Sequence, residues 1–314
     1  MARAFVFPGQ GSQAVGMGRE LAAVFAEARD VFAEVDDALS QKLSGLMFEG
    51  PEDELTLTEN AQPALMAVSA AVVAVLRRQG GLDLAGTVQY VAGHSLGEYS
   101  ALHVAGTFSL ADTARLLKLR GRSMQRAVPV GQGAMAALLG ADLEAAQAIA
   151  QAATAESGRV CAVANDNAPG QVVISGDVGA VDLAIAIAAK RGLKRSIKLP
   201  VSAPFHCPLM APAAEAMAEA LAAVSVRAPQ VPLVANVTAT AVTDPAEISR
   251  LLVEQVTGLV RWRESMLYLK AQGIDTVVEL GSGKVLSGLV KRIDKELIGI
   301  SVQTPAEIEA FLKT

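Results

Sequence analysis

Three side chains far apart in the sequence, Ser95, Arg120 and His206, are of types that together perform acyl chemistry. Ser95 stands in Gly93-His94-Ser95-Leu96-Gly97, a G-x-S-x-G run between an apolar, β-prone stretch at 87–92 and a helix-like stretch at 98–105. Strand, tight glycine-flanked turn and helix form the context of a nucleophile elbow. Flanking residues without Cβ atoms let strand and helix approach closely around a strained serine. The helix start then aims backbone N–H groups at an oxyanion forming beside it. An ordinary strand-to-helix turn is the alternative for this run taken alone.

A serine nucleophile needs a base, most often His. The chain has three histidines. His94 adjoins Ser95, where successive side chains point to opposite faces. His103 falls on the packed surface of the following helix. His206 sits in a proline-punctuated loop, 200–208, at the start of an Ala-rich helix over 209–224. It is the candidate base, against a structural histidine in a loop. No carboxylate stands out as a third member, because Asp166, Asp177 and Asp182 belong to a separate small domain. A backbone carbonyl holding the Nδ1–H tautomer serves as well.

Arg120 belongs to a helix over 110–126. At about 100° per residue, Leu116, Leu117, Leu119 and Met124 define an apolar arc with Arg120 inside it. Arg115, Lys118 and Arg122 fall opposite, on a solvated face. A guanidinium on the core side needs a partner, since an unpaired buried charge is costly. A structural carboxylate, a backbone carbonyl and an anionic ligand all remain open from spacing.

The elements that position these residues form an α/β chain. A strand at 3–7 runs into Pro8-Gly9-Gln10-Gly11-Ser12-Gln13 and then a helix over 18–38. Gly9-x-Gly11-x-x-Ala14 has the form of a dinucleotide fingerprint, but no second strand ending in an acidic residue follows. Gly281-Ser282-Gly283-Lys284 is not a phosphate loop, because Val285 stands where Ser or Thr is required. A helix over 63–79 precedes the elbow strand. Strands at 133–139, 159–164, 171–175 and 194–199 alternate with helices at 143–155 and 178–191 as β-α-β-β-α-β, with 165–170 as a tight turn. This order predicts a ferredoxin-like domain over 130–199, inserted into a discontinuous domain of residues 1–129 and 200–314, where βα units resume. Further strands are expected at 233–237 and 276–280.

Composition bounds the rest. Hydrophobic residues make up 52% and charged residues 19% of the 314, which implies a large aliphatic core. The longest apolar run, 64–76, is too short to span a bilayer, and Pro8-Gly9 comes too early for a signal peptide. Cys161 and Cys207 have neither metal-site nor disulfide-framework spacing, which predicts reduced thiols in a cytoplasmic protein without a metal. The net charge of −5 argues against general nucleic-acid binding.

Several motifs in order then carry a resemblance. They are 7–13, Gly93 to Ala101, Arg120-Gly121, Pro169 to Ile174, Phe205-His206-Cys207 and Gly283 to Leu286. Together they resemble the malonyl-CoA:acyl carrier protein transacylases, the stand-alone enzymes of type II fatty acid synthesis, over essentially the whole chain. The resemblance implies an α/β-hydrolase-like domain with an inserted ferredoxin-like one. It implies a malonyl ester on Ser95, His206 as base, and an oxyanion hole made by Gln10 and the Leu96 N–H. Arg120 would hold the malonate carboxylate as a bidentate pair. Phe205 would disfavour a branched methylmalonyl group, and Asn165 or Asn167 would face the cleft. It further implies malonyl-CoA and a phosphopantetheinylated acyl carrier protein as partners, no cofactor and a monomer. Arg261 departs from the Gln common before this Trp in relatives. That position orients the histidine through its main-chain carbonyl, which any residue supplies. Ser282 replaces a common Pro.

Competing readings are a serine esterase or thioesterase, the acyltransferase of a malonate decarboxylase or polyketide pathway, and a non-catalytic module that docks carrier protein. Carrier protein is acidic, so docking calls for a local basic patch. Lys190, Arg191, Lys194 and Arg195 form one candidate cluster. Lys291, Arg292 and Lys295 form another.

Overall fold

The computed structural model describes residues 2–313. Ten strands form two sheets: β1 (Arg3–Phe7), β2 (Tyr90–Gly93), β3 (Gly133–Leu139), β4 (Cys161–Ala168), β5 (Gln171–Asp177), β6 (Arg195–Lys198), β7 (Leu233–Val234), β8 (Ala241–Val242), β9 (Thr276–Leu280) and β10 (Ile298–Val302). The larger sheet has the order β10-β9-β1-β2-β7-β8, parallel except where β8 returns against β7. The smaller sheet, β4-β5-β3-β6, is antiparallel throughout. The protein is therefore a mixed α/β fold with one mainly parallel and one antiparallel sheet.

β1 shows why the larger sheet sits where it does. Its side chains alternate between faces, as the pleat requires. Phe5 and Phe7 enter the main apolar core, while Ala4 and Val6 enter a second core around Trp262, Met266 and Leu289. Burial on both faces makes the strand read as a continuous apolar run, the mark of a parallel sheet covered by helices. The helix Thr58–Gly80 fills the first core. It is the one helix among the described residues long and apolar enough to cross a membrane by length and composition, and 89% of its most apolar window is buried inside the fold.

The antiparallel sheet carries the helices Leu143–Ser157 and Val178–Lys190 on one face, over a third core of Ala, Val, Ile and Leu. This is the expected β-α-β-β-α-β order. Its first hairpin is longer than expected. Residues 165–168 continue β4 with two register shifts, and only Pro169-Gly170 form the turn. A β-bulge re-aims side chains without ending a strand.

β4 is also fastened outside its own sheet, to Val260 and to the start of the helix Trp262–Ala271. Asp166, almost fully buried, takes a two-oxygen grip from Arg263, with Nε–Oδ1 at 3.1 Å and Nη2–Oδ2 at 2.7 Å. The backbone of Val260 bonds both neighbours of Asn165: the Val260 N–H donates to Ala164 O, and its carbonyl accepts from the Asp166 N–H, each at 2.9 Å.

Three expectations are corrected. The helix over 18–38 is two helices, Arg19–Val24 and Ala26–Leu39, broken where Phe25 adopts an extended conformation. The strand at 87–92 begins later, at Tyr90, because Leu84–Thr87 closes a helical turn. The strand at 233–237 lasts two residues before the chain folds into a hairpin closed by Ala235 N–H to Thr240 O.

Candidate active site

The elbow is built by steric necessity. A Cβ on Gly93 would lie 1.9 Å from the backbone of Gly97, and one on Gly97 would lie 2.2 Å from the carbonyl of Phe7. Only glycine fits either place, so strand, turn and helix Gly97–Val104 meet tightly. Ser95 at the apex has φ +54°, in the left-handed region that non-glycine residues rarely adopt. Asn236 holds it there. Its Oδ1 accepts from the Ser95 N–H at 2.8 Å, and its Nδ2 donates to Gly93 O at 2.7 Å. The next N–H, of Leu96, has no acceptor among the described residues and opens the helix. These elements place the nucleophile at the carboxyl ends of β1 and β2, where open α/β sheets bind ligands.

The structure brings Ser95, His206 and Arg120 together. His206 Nε2 lies 2.7 Å from Ser95 Oγ, and Nδ1 lies 2.8 Å from the carbonyl of Gln255. The carbonyl can only accept, so Nδ1 carries the proton and Nε2 presents a lone pair to the serine. His206 also has a left-handed backbone, φ +57°. Burial, and next the charge of Arg120, push its pKa down to about 3. The imidazole is therefore neutral over the ordinary pH range and ready to accept a proton.

The main-chain acceptor corrects one expectation. Arg261 does not orient the histidine, because its carbonyl is used at the start of the helix Trp262–Ala271, where it accepts from the N–H and Oγ of Ser265 at 2.9 Å each. Gln255, on the helix Pro245–Thr257, supplies the carbonyl instead. It was missed because an amide among Ile248, Leu251, Leu252 and Val256 carries no chemical motif. The available signal was a polar residue on the buried stripe of an amphipathic helix.

Arg120 lies on the helix Leu110–Ala127, which presses on the start of Thr58–Gly80. A Cβ on Gly121 would stand 2.5 Å from Glu59 Cα, so glycine next to Arg120 permits that contact. The guanidinium is 1% exposed and donates to Gln62 Oε1 at 2.8 Å, Gln255 Oε1 at 2.8 Å and Ser95 Oγ at 3.2 Å. It lies 5.8 Å from the ring centre of Tyr99. Its Nε is buried without an acceptor, and no carboxylate pairs with it among the described residues. The nearest acid in the network, Glu98, accepts from the Gln255 side chain, and burial pushes its pKa up to about 8. Of the three partners left open for Arg120, neither a carboxylate nor a backbone carbonyl is present among the described residues. The flanks of this helix also differ from expectation. Lys118 is buried against Asn60 and Glu59, while Leu119 is exposed.

A cavity of about 470 Å³ opens over Ser95. Gln10, Asn165, Asn167, Phe205 and His206 line it. Gln10 Oε1 accepts from Thr58 at 2.8 Å. Asn167 Oδ1 lies 2.8 Å from His94 Nε2, so His94 is engaged away from the serine. His103 is half-buried and bonds its own loop at Phe108 O. No group of His, Cys, Asp and Glu suited to a metal occurs among the described residues.

A strained serine, a neutral histidine on its Oγ and the unpaired Leu96 N–H beside it make up an acyl-transfer site. The chain belongs to the acyl transferase family, whose acyl transferase domain matches residues 4–304, and it is an acyltransferase. The malonyl CoA-acyl carrier protein transacylase of Bacillus subtilis is 47% identical over 99% of this chain and 96% of its own length. The crystal structure of an acyl-carrier-protein-S-malonyltransferase from Bartonella henselae is 56% identical, with a TM-score of 0.96, covering 100% of this chain and 99% of that one. A structure of a type II polyketide acyl-carrier protein in complex with its malonyl-transacylase matches at 40% identity and TM-score 0.95, over 100% and 99% of the two chains.

Proposed function

We propose that the chain transfers the malonyl group of malonyl-CoA to the phosphopantetheine thiol of acyl carrier protein, by way of a malonyl ester on Ser95, and so supplies extender units for fatty acid synthesis. One observation carries this reading. A fully buried Arg120, without a carboxylate partner among the described residues, stands 3.2 Å from Ser95 Oγ. A buried cation beside a nucleophile suits an acyl group that brings its own carboxylate.

In the first half-reaction His206 Nε2 takes the Ser95 proton as Oγ attacks the thioester carbonyl. The oxyanion forms against the Leu96 N–H and the Gln10 amide. The C–S bond breaks, and His206 returns the proton to the departing CoA sulfur. In the second half-reaction the carrier thiol gives its proton to His206 and attacks the ester. The C–O bond breaks and Ser95 recovers its proton. Gln255 holds the base in one tautomer throughout. The scheme calls on no residue of a second copy, and we take the enzyme to act as a monomer. The buried free thiols Cys161 and Cys207 fit a cytoplasmic enzyme.

We read the parallel sheet with its elbow as an α/β-hydrolase-like domain of residues 1–129 and 200–314. The order β4-β5-β3-β6 supports a ferredoxin-like domain over 130–199. Incubation with radiolabelled malonyl-CoA tests the mechanism. Label should attach to the wild type, be lost in Ser95→Ala, and move to carrier protein on addition. Rapid release of free malonate without a thiol acceptor would instead favour a thioesterase.

A further inference from the structure

The carbonyl that orients His206 belongs to the last turn of a helix. Gln255 stands close to the end of Pro245–Thr257, where a carbonyl has no partner within the helix. It is therefore open to Nδ1 of His206, and its place depends on what holds the turn, since helix ends fray. The fully buried side chain of Gln255 is that hold. A guanidinium can only donate, so Arg120 Nη2 takes the oxygen, Oε1, at 2.8 Å. The nitrogen then faces the other way with two hydrogens to place. One goes to the carbonyl of Ser95 at 2.9 Å, and the other to Oε2 of Glu98. Glu98 is itself buried, and its backbone N–H donates to the same Ser95 carbonyl at 3.1 Å. Its Oε2 also receives the Asn236 N–H at 3.4 Å. No step of the transfer uses this acid.

We infer that Glu98 is a positioning residue for acyl transfer: it anchors the Gln255 side chain, and through it the carbonyl that orients His206. The inference rests on the dyad proposed for Ser95 and His206. Glu98 touches neither reacting group. It supplies at one remove the carboxylate that a serine–histidine pair elsewhere keeps on the imidazole. Oε2 accepts with the carboxyl charged or, with a proton on Oε1, neutral, so the anchor does not depend on charge. Without that acceptor one Gln255 hydrogen is left buried and unbonded, which drives the side chain to shift. Glu98 rides on the helix that begins at the elbow, so the base is held to the element that carries the nucleophile. A displacement of about 1 Å between such groups costs roughly 100-fold in rate.

The test is a double-mutant cycle between Glu98 and Gln255 in the full chain, read as kcat for malonyl transfer to carrier protein. Nitrogen NMR of the histidine rings gives a second readout. Glu98→Leu removes the acceptor at similar volume and should lower kcat at least roughly tenfold. Glu98→Gln keeps an oxygen for Gln255 and should restore kcat. In a Gln255→Ala background, which retains the main-chain carbonyl, Glu98→Leu should add no further loss. The proton of His206, assigned by the signal lost in His206→Ala, should sit on Nδ1 alone in the wild type and be divided between Nδ1 and Nε2 in Glu98→Leu. Glu98→Met replaces Glu98→Leu if the leucine variant does not fold. A wild-type kcat in Glu98→Leu, an equal loss in both backgrounds, no rescue by Gln, or an undisturbed His206 tautomer would overturn the anchor while leaving the transfer reaction standing. Malonyl label on the Ser95→Ala protein, or wild-type transfer by His206→Ala, would overturn the dyad and the anchor together.

Discussion

Arg120 Nη2 approaches the Oγ of Ser95 to 3.2 Å, placing a buried permanent cation against the nucleophile beneath the cavity. Its hydrogen-bond partners are two neutral amides and a hydroxyl. Burial disfavours the charge, and the fold keeps it without an ion pair.

Arg120→Ala should therefore separate selection from chemistry. Malonyl transfer should fall roughly 30-fold or more in kcat/KM, the scale of losing one partner of a buried charge pair. Acetyl-CoA, which has no carboxylate to place, should lose less. Competition assays with both thioesters check this. An unchanged malonyl preference would remove Arg120 from the carboxylate role.

The pH dependence follows from His206. Its pKa is held at about 3 in the fold, against roughly 6.5 for a free histidine. Acylation of Ser95 should show no loss of kcat/KM with an inflection near pH 6.5, and labelling rates from pH 5 to 8 would reveal one. Stability behaves differently. The unfolded chain takes up a proton near pH 6.5 that the folded site refuses. The contribution of His206 is whole above pH 6.5 and is lost as pH falls toward 3. His103, held down at about 4 by burial, acts in the same direction. Glu98, raised to about 8, opposes them, since its contribution is lost as pH rises from roughly 4.5 toward 8.

Phe205 is 7% exposed and lines the cavity next to the base. Phe205→Ser should open room for a branch and raise the methylmalonyl-to-malonyl ratio of kcat/KM by roughly tenfold, the low end of what one methyl group is worth in a pocket. An unaltered ratio would place selectivity elsewhere.

Lys190, Arg191, Lys194 and Arg195 are all exposed and take no acidic partner among the described residues. The second basic cluster differs, since Arg292 bonds Gln171 and Lys295 sits between Asp294 and Glu296. Reversing Lys190 and Arg191 to Glu should raise KM for carrier protein several-fold and leave KM for malonyl-CoA unchanged. Equal KM values for carrier protein would clear this cluster.

The elbow was legible in the sequence because its glycines are demanded by local sterics. Arg120 was legible because helical periodicity exposes a charge on the wrong face. The partners that finish the site were not. Gln62, Asn236 and Gln255 act through amides that meet their targets across 58, 141 and 135 residues, respectively. Such pairings leave no local pattern, and only a polar side chain at a core position hints at them. Lys118 and Leu119 were misplaced for a related reason. Periodicity assumes one buried face, whereas Asn60 and Glu59 offer Lys118 a polar seat inside the contact. At Asn165–Ala168 the turn-prone composition suggested a loop, but pairing with β5 and the backbone of Val260 kept the segment extended through its bulges.

The seam between β4 and Val260 bears on how this enzyme tolerates exchange of parts. Its backbone bonds ask nothing of side-chain identity, so they survive replacement of the whole antiparallel sheet by that of a relative. The identity-dependent fastenings include Asp166 with Arg263, Asn167 with His94 and Gln171 with Arg292. A chimera cut at the two chain crossings carries Asp166 on the graft and leaves Arg263 in the host. The match across that joint, more than the graft's own stability, decides whether Asn165 and Asn167 arrive over the serine.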